Sequence, residues 1–372
     1  MEDILPKWIS ILSDDSVQNI LLTGCGGGFD FTNALLMIPF IFKMKKKLII
    51  VSNSFSTINS TYKDYETVFS NETRALAKKI VPGKDKPNSG YMPEKIFIDI
   101  INQHFPENDM ELYATEAHYM PAPTATEFLK KLCQEKSIDC VITIDGGSDS
   151  LMKGDEYEIA TIAEDFISLV TVQNLMHDKS LNIKYGILIA VGIGADRVHG
   201  ASDASSLRAI AELTRMGGFL GSNSINQDSL GFKMYSELLL ESKKHFQSIV
   251  GSFIAAAAVG QFGPAYPDIR PVKVPRNFER SGVPEECITL FNLDEEGNEH
   301  DEINNNRADK SSTYIWPIMA QFYAFDVNVV LERCLLGEDA KGRFGYQDTL
   351  RRKLELSDRI LSPESFPTFD FD

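Results

Sequence analysis

Gln18-Asn-Ile-Leu-Leu-Thr-Gly-Cys-Gly-Gly-Gly-Phe-Asp-Phe-Thr-Asn-Ala-Leu-Leu36 is the stretch whose reading decides the fold. An apolar run, Ile20 to Leu22, enters a turn holding Gly24, Gly26, Gly27 and Gly28. Leu35, Leu36, Ile38 and Phe42 then recur at helical spacing. Strand, glycine-rich turn and helix together present backbone N–H groups and a positive helix end to an anion. Glycine suits such a turn because a Cβ would block a positive φ or the close approach of a ligand. The spacing is not that of a P-loop, since no Gly-Lys-Ser/Thr follows, and it lacks the third glycine of Gly-x-Gly-x-x-Gly. Asp30 adds negative charge where a phosphate would sit. Either a cation lies between them or the ligand is hydroxyl-rich or cationic. The plain alternative is a tight turn in which Asp30 caps the helix.

Working outward, Lys47 to Val51 reads as a second buried strand one helix length later, so the unit is a parallel βαβ. Ser52 to Ser60 is a polar stretch beyond its C-terminal end, where α/β folds place ligands. Cys140 to Ile144 and Tyr185 to Val191 are further buried strands. Helices are expected over 1–14, where Ile4, Leu5, Trp8 and Ile11 would pack inward. Others are expected from Thr124, capped by a Thr124–Glu127 box, over 159–176, over 202–215 and over 229–258. Glu94 to Phe105 is a short element, His118 to Pro123 is extended, and 217–224 is a turn. Ile288 to Phe291 reads as a strand within a loop. Tyr314 to Phe325 and Val327 to Leu335 return to the core. The expected fold is α/β, three-layer and Rossmann-like, with a mainly parallel sheet and helices on both faces. We expect a single domain over 1–372, an acidic loop insertion over 260–310 and a loosely held tail over 357–372.

Composition bounds the function. Of the 372 residues, 43% are hydrophobic and 24% charged, as in an ordinary globule. The formal net charge of −16 repels nucleic acid and anionic membranes, so neither is an expected partner. The five cysteines are odd in number and contain no Cys-x-x-Cys pair, which argues for free thiols in a reducing compartment and against a zinc site. The acidic N-terminus is unlike a signal peptide, and the apolar run near Ile249 to Val259 falls short of the ~20 residues a membrane helix needs. The expected location is the cytoplasm. Oligomeric state is not legible.

The feature that stands out is a coincidence. Three strands end in glycine-rich turns bearing aspartate: Asp30; Asp145 with Asp149 in Asp145-Gly-Gly-Ser-Asp149; and Asp196 in Gly192-Ile-Gly-Ala-Asp196. In a parallel sheet these ends converge on one edge. Four carboxylates there suit a hard cation with oxygen ligands, and Asp155 and Glu156 follow close behind. Asp and Gly are also what turns are made of, so a structural reading stands beside this one. Cys25 occupies a place where a helix end could lower its pKa, although a small residue in a tight turn explains it more simply. Lys153 could reach a phosphate, and His199 could act as acid or base.

Gly-Gly-Gly-x-Asp after the first strand, Asp-Gly-Gly-x-Asp-Ser-Leu-x-x-Gly-Asp-Glu over Asp145 to Glu156, and the later Gly-x-Gly-x-Asp turn resemble the family called domain of unknown function 1152. The resemblance runs from about Ile20 to about Phe325, and the mid-chain motif is its most specific part. The family's third turn usually reads Asp-Gly-Glu; here it reads Asp196-Arg-Val. The resemblance implies one shared site and supplies no activity.

From the residues, the expected function is an enzyme, a hydrolase or transferase, acting on a small phosphorylated or nucleotide-like metabolite. Asp30, Asp145, Asp149 and Asp196 would hold Mg²⁺ or another divalent cation. Gly26, Gly27, Gly28, Thr32, Gly146, Gly147, Ser148 and Gly194 would contact the ligand, and Asp30, Asp149 and His199 would carry the chemistry. The alternatives are a binding or sensor protein with the same pocket and no turnover, and a scaffold whose acidic turns are structural.

Overall fold

Long apolar runs are stable as strands only when both sheet faces are covered, and that requirement shapes the molecule. The computed structural model describes residues 5–83, 91–153, 162–196, 203–246, 248–260, 263–265, 313–315 and 319–335. Helix α1 (Lys7–Ser13) leads into β1 (Asn19–Gly24), a 3₁₀-helix (Asp30–Leu36), α2 (Ile38–Lys43) and β2 (Lys47–Ser54). Then follow α3 (Ile58–Thr61), β3 (Glu66–Ser70), β4 (Ala75–Ile80), α4 (Pro93–His104), β5 (Glu111–Glu116) and α5 (Ala122–Lys136). β6 (Cys140–Gly146), α6 (Ile162–His177), β7 (Tyr185–Ile193), α7 (Asp203–Arg215) and β8 (Phe219–Ser224) come next. The chain continues through α8 (Leu230–Ser242), α9 (Ile249–Ala258), β9 (Gly263–Ala265), β10 (Thr313–Ile315), β11 (Met319–Asp326) and α10 (Val327–Leu335).

Nine strands form one sheet in the order β3-β4-β5-β2-β1-β6-β7-β11-β8. β5, β2, β1, β6 and β7 are parallel. β3, β4 and β11 add antiparallel pairings at the flanks. Counted from β1, the centre has the 3-2-1-4-5 order of doubly wound folds, with its switch point between β1 and β6. Every residue of β6 is buried. Helices cover both faces. Ile41, Phe97, Tyr235 and Ile254 pack on one, and Phe128, Leu169, Leu213 and Val330 on the other. Fully burying a side chain such as Phe97 or Phe128 contributes roughly 1.5–3 kcal/mol. The α/β, three-layer, Rossmann-like expectation holds. No helix among the described residues is long and apolar enough to cross a membrane.

Several local expectations fail. Leu5 is 50% exposed, while Trp8 and Leu12 carry the packing of α1. α5 starts at Ala122, ahead of Thr124, with no side-chain cap. Pro123 falls in its first turn, where the fixed φ of proline is already helical. His118 lies in a short 3₁₀ turn. β2 runs on to Ser54, into the stretch expected to be loop. Residues 219–224 form a strand rather than a turn, because β11 pairs with them. The single helix expected over 229–258 is two, and Ser248 caps the second by accepting from the Gly251 amide. β3, β4 and β5 went unread. Ile4, Asp155, Glu156, His199, most of 260–310 with the strand over 288–291, and the tail over 357–372 lie outside the described residues.

Candidate functional site

The residue after a strand's C-terminal end points to the sheet edge, so turns following β1, β6 and β7 can meet there. They do. Asp30 opens the 3₁₀-helix, but its side chain does not cap it. The carboxylate instead accepts from the Gly146 amide at 3.2 Å, across the switch point. Asn33 fixes the turn, donating to the Asp30 carbonyl at 3.0 Å and accepting from Tyr235 at 2.9 Å. Asp145, near the end of β6, accepts from the Ser150 hydroxyl. Asp149 begins the 3₁₀ turn Asp149–Leu151. Asp196 accepts from the Ser148 amide. The Asp149 turn is braced from behind. Buried Arg333 donates to the Leu151 carbonyl and, at 2.7 Å, to Glu212.

A fifth carboxylate, Asp165 in the first turn of α6, completes the group. One carboxylate oxygen each from Asp30, Asp145 and Asp165 lies within 4.8 Å of the other two. Asp145 and Asp165 are 2% and 3% exposed. Asp165 Oδ2 is buried with no hydrogen-bond partner among the described residues. An unsatisfied buried carboxylate oxygen is costly unless something else meets it. An all-oxygen donor set of this kind fits a hard divalent cation. Sequence reading missed Asp165. Its signal was two adjacent acids, Glu164 and Asp165, within a helix whose neighbours Phe166 and Leu169 are core residues.

The glycines serve a different purpose from the one expected. The amides of Gly26 and Gly28 donate to Ser168 Oγ (3.2 Å) and the Asn53 carbonyl (2.9 Å). Those of Gly146, Gly147 and Ser148 donate to Asp30, the Val191 carbonyl and Asp196. The anion cradle expected of these N–H groups is thus spent inside the protein. What the missing Cβ atoms allow is close approach of side chains. At Gly26 (φ +94°) a Cβ would sit 2.4 Å from Asp165 Oδ1 and 2.8 Å from Asp30 Oδ2. At Gly27 it would strike the Phe55 ring at 2.4 Å. Thr32 turns inward, its hydroxyl donating to the Phe29 carbonyl at 2.6 Å. Gly194 stands at φ +99° in the turn after β7. Lys153 lies 3.8 Å from Glu212. Cys25 is buried, and burial, then Asp165 and Asp145, raises its pKa, which fits a small residue in a tight turn and not an activated thiol.

Burial is the main cause that raises the carboxyl pKa values of Asp30, Asp145, Asp165 and Asp196, and mutual repulsion adds to it. Glu164 is pushed up to about 7, by burial first and then by Asp149. The sign of the linkage follows. A carboxyl whose folded pKa lies above its unfolded value stabilises the fold below that unfolded value, near 4, and the contribution is lost as pH rises through the folded pKa. The metal-free protein should therefore melt at progressively lower temperature from about pH 5 to pH 8, and saturating Mg²⁺ should flatten the slope. A melting temperature that climbs with pH in chelator would contradict the cluster as described.

Comparison with protein-family models, with curated proteins and with solved structures gives no match.

Proposed function

We propose that the chain is a divalent-cation-dependent enzyme, a hydrolase or transferase, acting on a small phosphorylated or nucleotide-like metabolite. One observation carries this reading: the Asp30–Asp145–Asp165 group at the sheet's switch point, with Asp145 and Asp165 buried, Asp30 partly so, and Asp165 Oδ2 unmatched among the described residues. Asp30, Asp145 and Asp165 would hold Mg²⁺ or a similar cation, with Asp149 and Asp196 beside them. A cation there would supply Lewis-acid stabilisation of charge on a substrate oxygen. It would also reconcile an anionic substrate with a carboxylate-lined edge where the amides of Gly26, Gly28, Gly146, Gly147 and Ser148 are already engaged. Glu164, whose carboxyl is pushed up to about 7 in the metal-free chain by burial and then by Asp149, would hold or release a proton at its carboxylate oxygen. The binding or sensor reading shares the same pocket, and consumption of the stabilising compound separates the two. Membership of the family called domain of unknown function 1152 is a proposal on the same footing, supported by the three motifs alone.

The test is a thermal-shift series on the full chain with Mg²⁺ or Mn²⁺, alone and with nucleotides or sugar phosphates, followed by product analysis of whatever stabilises. Stabilisation by metal at millimolar concentration, deepened by a phosphorylated compound that is then consumed, is the expected outcome. No shift with any metal would remove the cation. Stabilisation without turnover would select the sensor reading.

A further inference from the structure

The acidic edge is bordered by aromatic rings. Phe29 and Phe246 lie nearly parallel, with centroids 6.4 Å apart and 13° between planes. Tyr91 stands edge-on to both, at 5.7 Å and 4.7 Å. Phe55 lies across the glycine turn, where a Cβ on Gly27 or Gly28 would meet its ring at 2.4 Å or 2.8 Å. Phe55 and Phe246 are each 40% exposed. Tyr91 supplies a polar point within this wall. Its hydroxyl is buried without a hydrogen-bond partner among the described residues. It lies 3.1 Å from the position a Gly28 Cβ would take. Burial, and after it the charges of Glu94, Asp30 and Glu164, keeps the phenol protonated and hence a donor. A buried tyrosine hydroxyl ordinarily finds an acceptor. Of the carboxylates whose charge reaches this phenol, Asp30 accepts from the Gly146 amide, and Glu94 from Ser52 and Tyr62.

We propose that Tyr91 donates a hydrogen bond to a ligand oxygen at the acidic centre, and that Phe29, Phe55 and Phe246 receive a planar ring of the same ligand. The class this selects is a phosphorylated compound bearing an aromatic heterocycle, a nucleotide rather than a sugar phosphate. The proposal rests on the cation reading above and narrows it. Flat apolar faces take any nucleobase by stacking, and the phenol supplies a donor where the amides of Gly26 and Gly28 do not.

The experiment measures binding of AMP and of inorganic phosphate to the full chain loaded with Mn²⁺, and of Mn²⁺ alone in a separate titration. Tyr91→Phe keeps the ring and its packing, and Phe246→Ala removes a ring that is partly in solvent, so both variants should fold; thermal unfolding checks this. Tyr91→Phe should leave Mn²⁺ affinity unchanged and weaken AMP and phosphate alike by about tenfold. Phe246→Ala should weaken AMP by about tenfold and leave phosphate alone. Unchanged AMP affinity in both variants, or no AMP binding to the Mn²⁺-loaded wild type, overturns the subsite while the cation reading stands. Absence of Mn²⁺ binding in the separate titration removes the cation reading and the subsite with it.

Discussion

Asp165→Asn should abolish the stabilisation that Mg²⁺ or Mn²⁺ confers and leave the metal-free protein as stable as wild type or more so. The wild-type gain follows from mass action, about 2.7 kcal/mol at a free metal concentration one hundred times Kd. Asparagine keeps the shape of aspartate but removes a charge that sits 3% exposed among other carboxylates. Repulsion from Asp149, Asp145 and Asp30 is therefore relieved when the residue becomes neutral. No N–H or hydroxyl donor among the described residues meets Oδ2, and the amide of asparagine can still donate to the adjoining Asp149 carboxylate. Asp149→Asn, beside Asp165, should give the same pair of results. Such a trade of stability against function is common where a site stores strain. The measurements are melting curves in chelator and in metal. A fall in metal-free stability of about 2 kcal/mol or more would instead make Asp165 a structural member of the edge.

Gly147→Ala should be among the most damaging single changes at the edge, costing on the order of 3 kcal/mol or more. Two causes add. The residue stands at φ +132°, which L side chains rarely adopt, and its Cβ would fall 1.9 Å from Asp196 Oδ2. Asp196 cannot easily withdraw, because it is 4% exposed and holds the Ser148 amide. Two controls separate the causes. Gly83→Ala, at φ +72° with nothing within 4 Å, carries backbone strain alone and should cost about 1 kcal/mol. Adding Asp196→Ala to Gly147→Ala removes the collision, so the double variant should recover part of the loss in a double-mutant cycle. Denaturant unfolding reads the wild type, Gly147→Ala, Asp196→Ala, the double variant and Gly83→Ala. Equal losses for Gly147→Ala and Gly83→Ala would mean that Asp196 does not occupy the space assigned to it.

Where sequence reading succeeded and failed has a physical basis. β1, β6 and β7 were legible because parallel strands covered on both faces must be apolar throughout. The turns bearing Asp30, Asp145, Asp149 and Asp196 follow such strands, so their convergence could be argued before any coordinates. β4 and β5 mix Lys, Glu and Thr with apolar residues and declare themselves only through their partners. β8 contains Gly221 and Asn223, which read as a turn until β11 supplies the ladder. Asp165 was hidden because a helix approaches the edge from the side, and only tertiary packing fixes which of its residues faces Asp30 and Asp145. The glycines carry the sharpest lesson. Sequence shows that a Cβ is excluded, but not what fills the space. A bound anion and a neighbouring side chain leave the same trace, and at Gly26, Gly27 and Gly147 the occupant is a side chain.

The central claim is that Asp30, Asp145 and Asp165 form a cation site at the switch point between β1 and β6. Crystals grown with Mn²⁺ test it most directly, by anomalous difference density. The account expects one strong peak bounded by carboxylate oxygens of these three residues, lost in Asp165→Asn crystals. Well-ordered wild-type crystals in millimolar Mn²⁺ with no peak there, or with manganese bound only elsewhere, would contradict it.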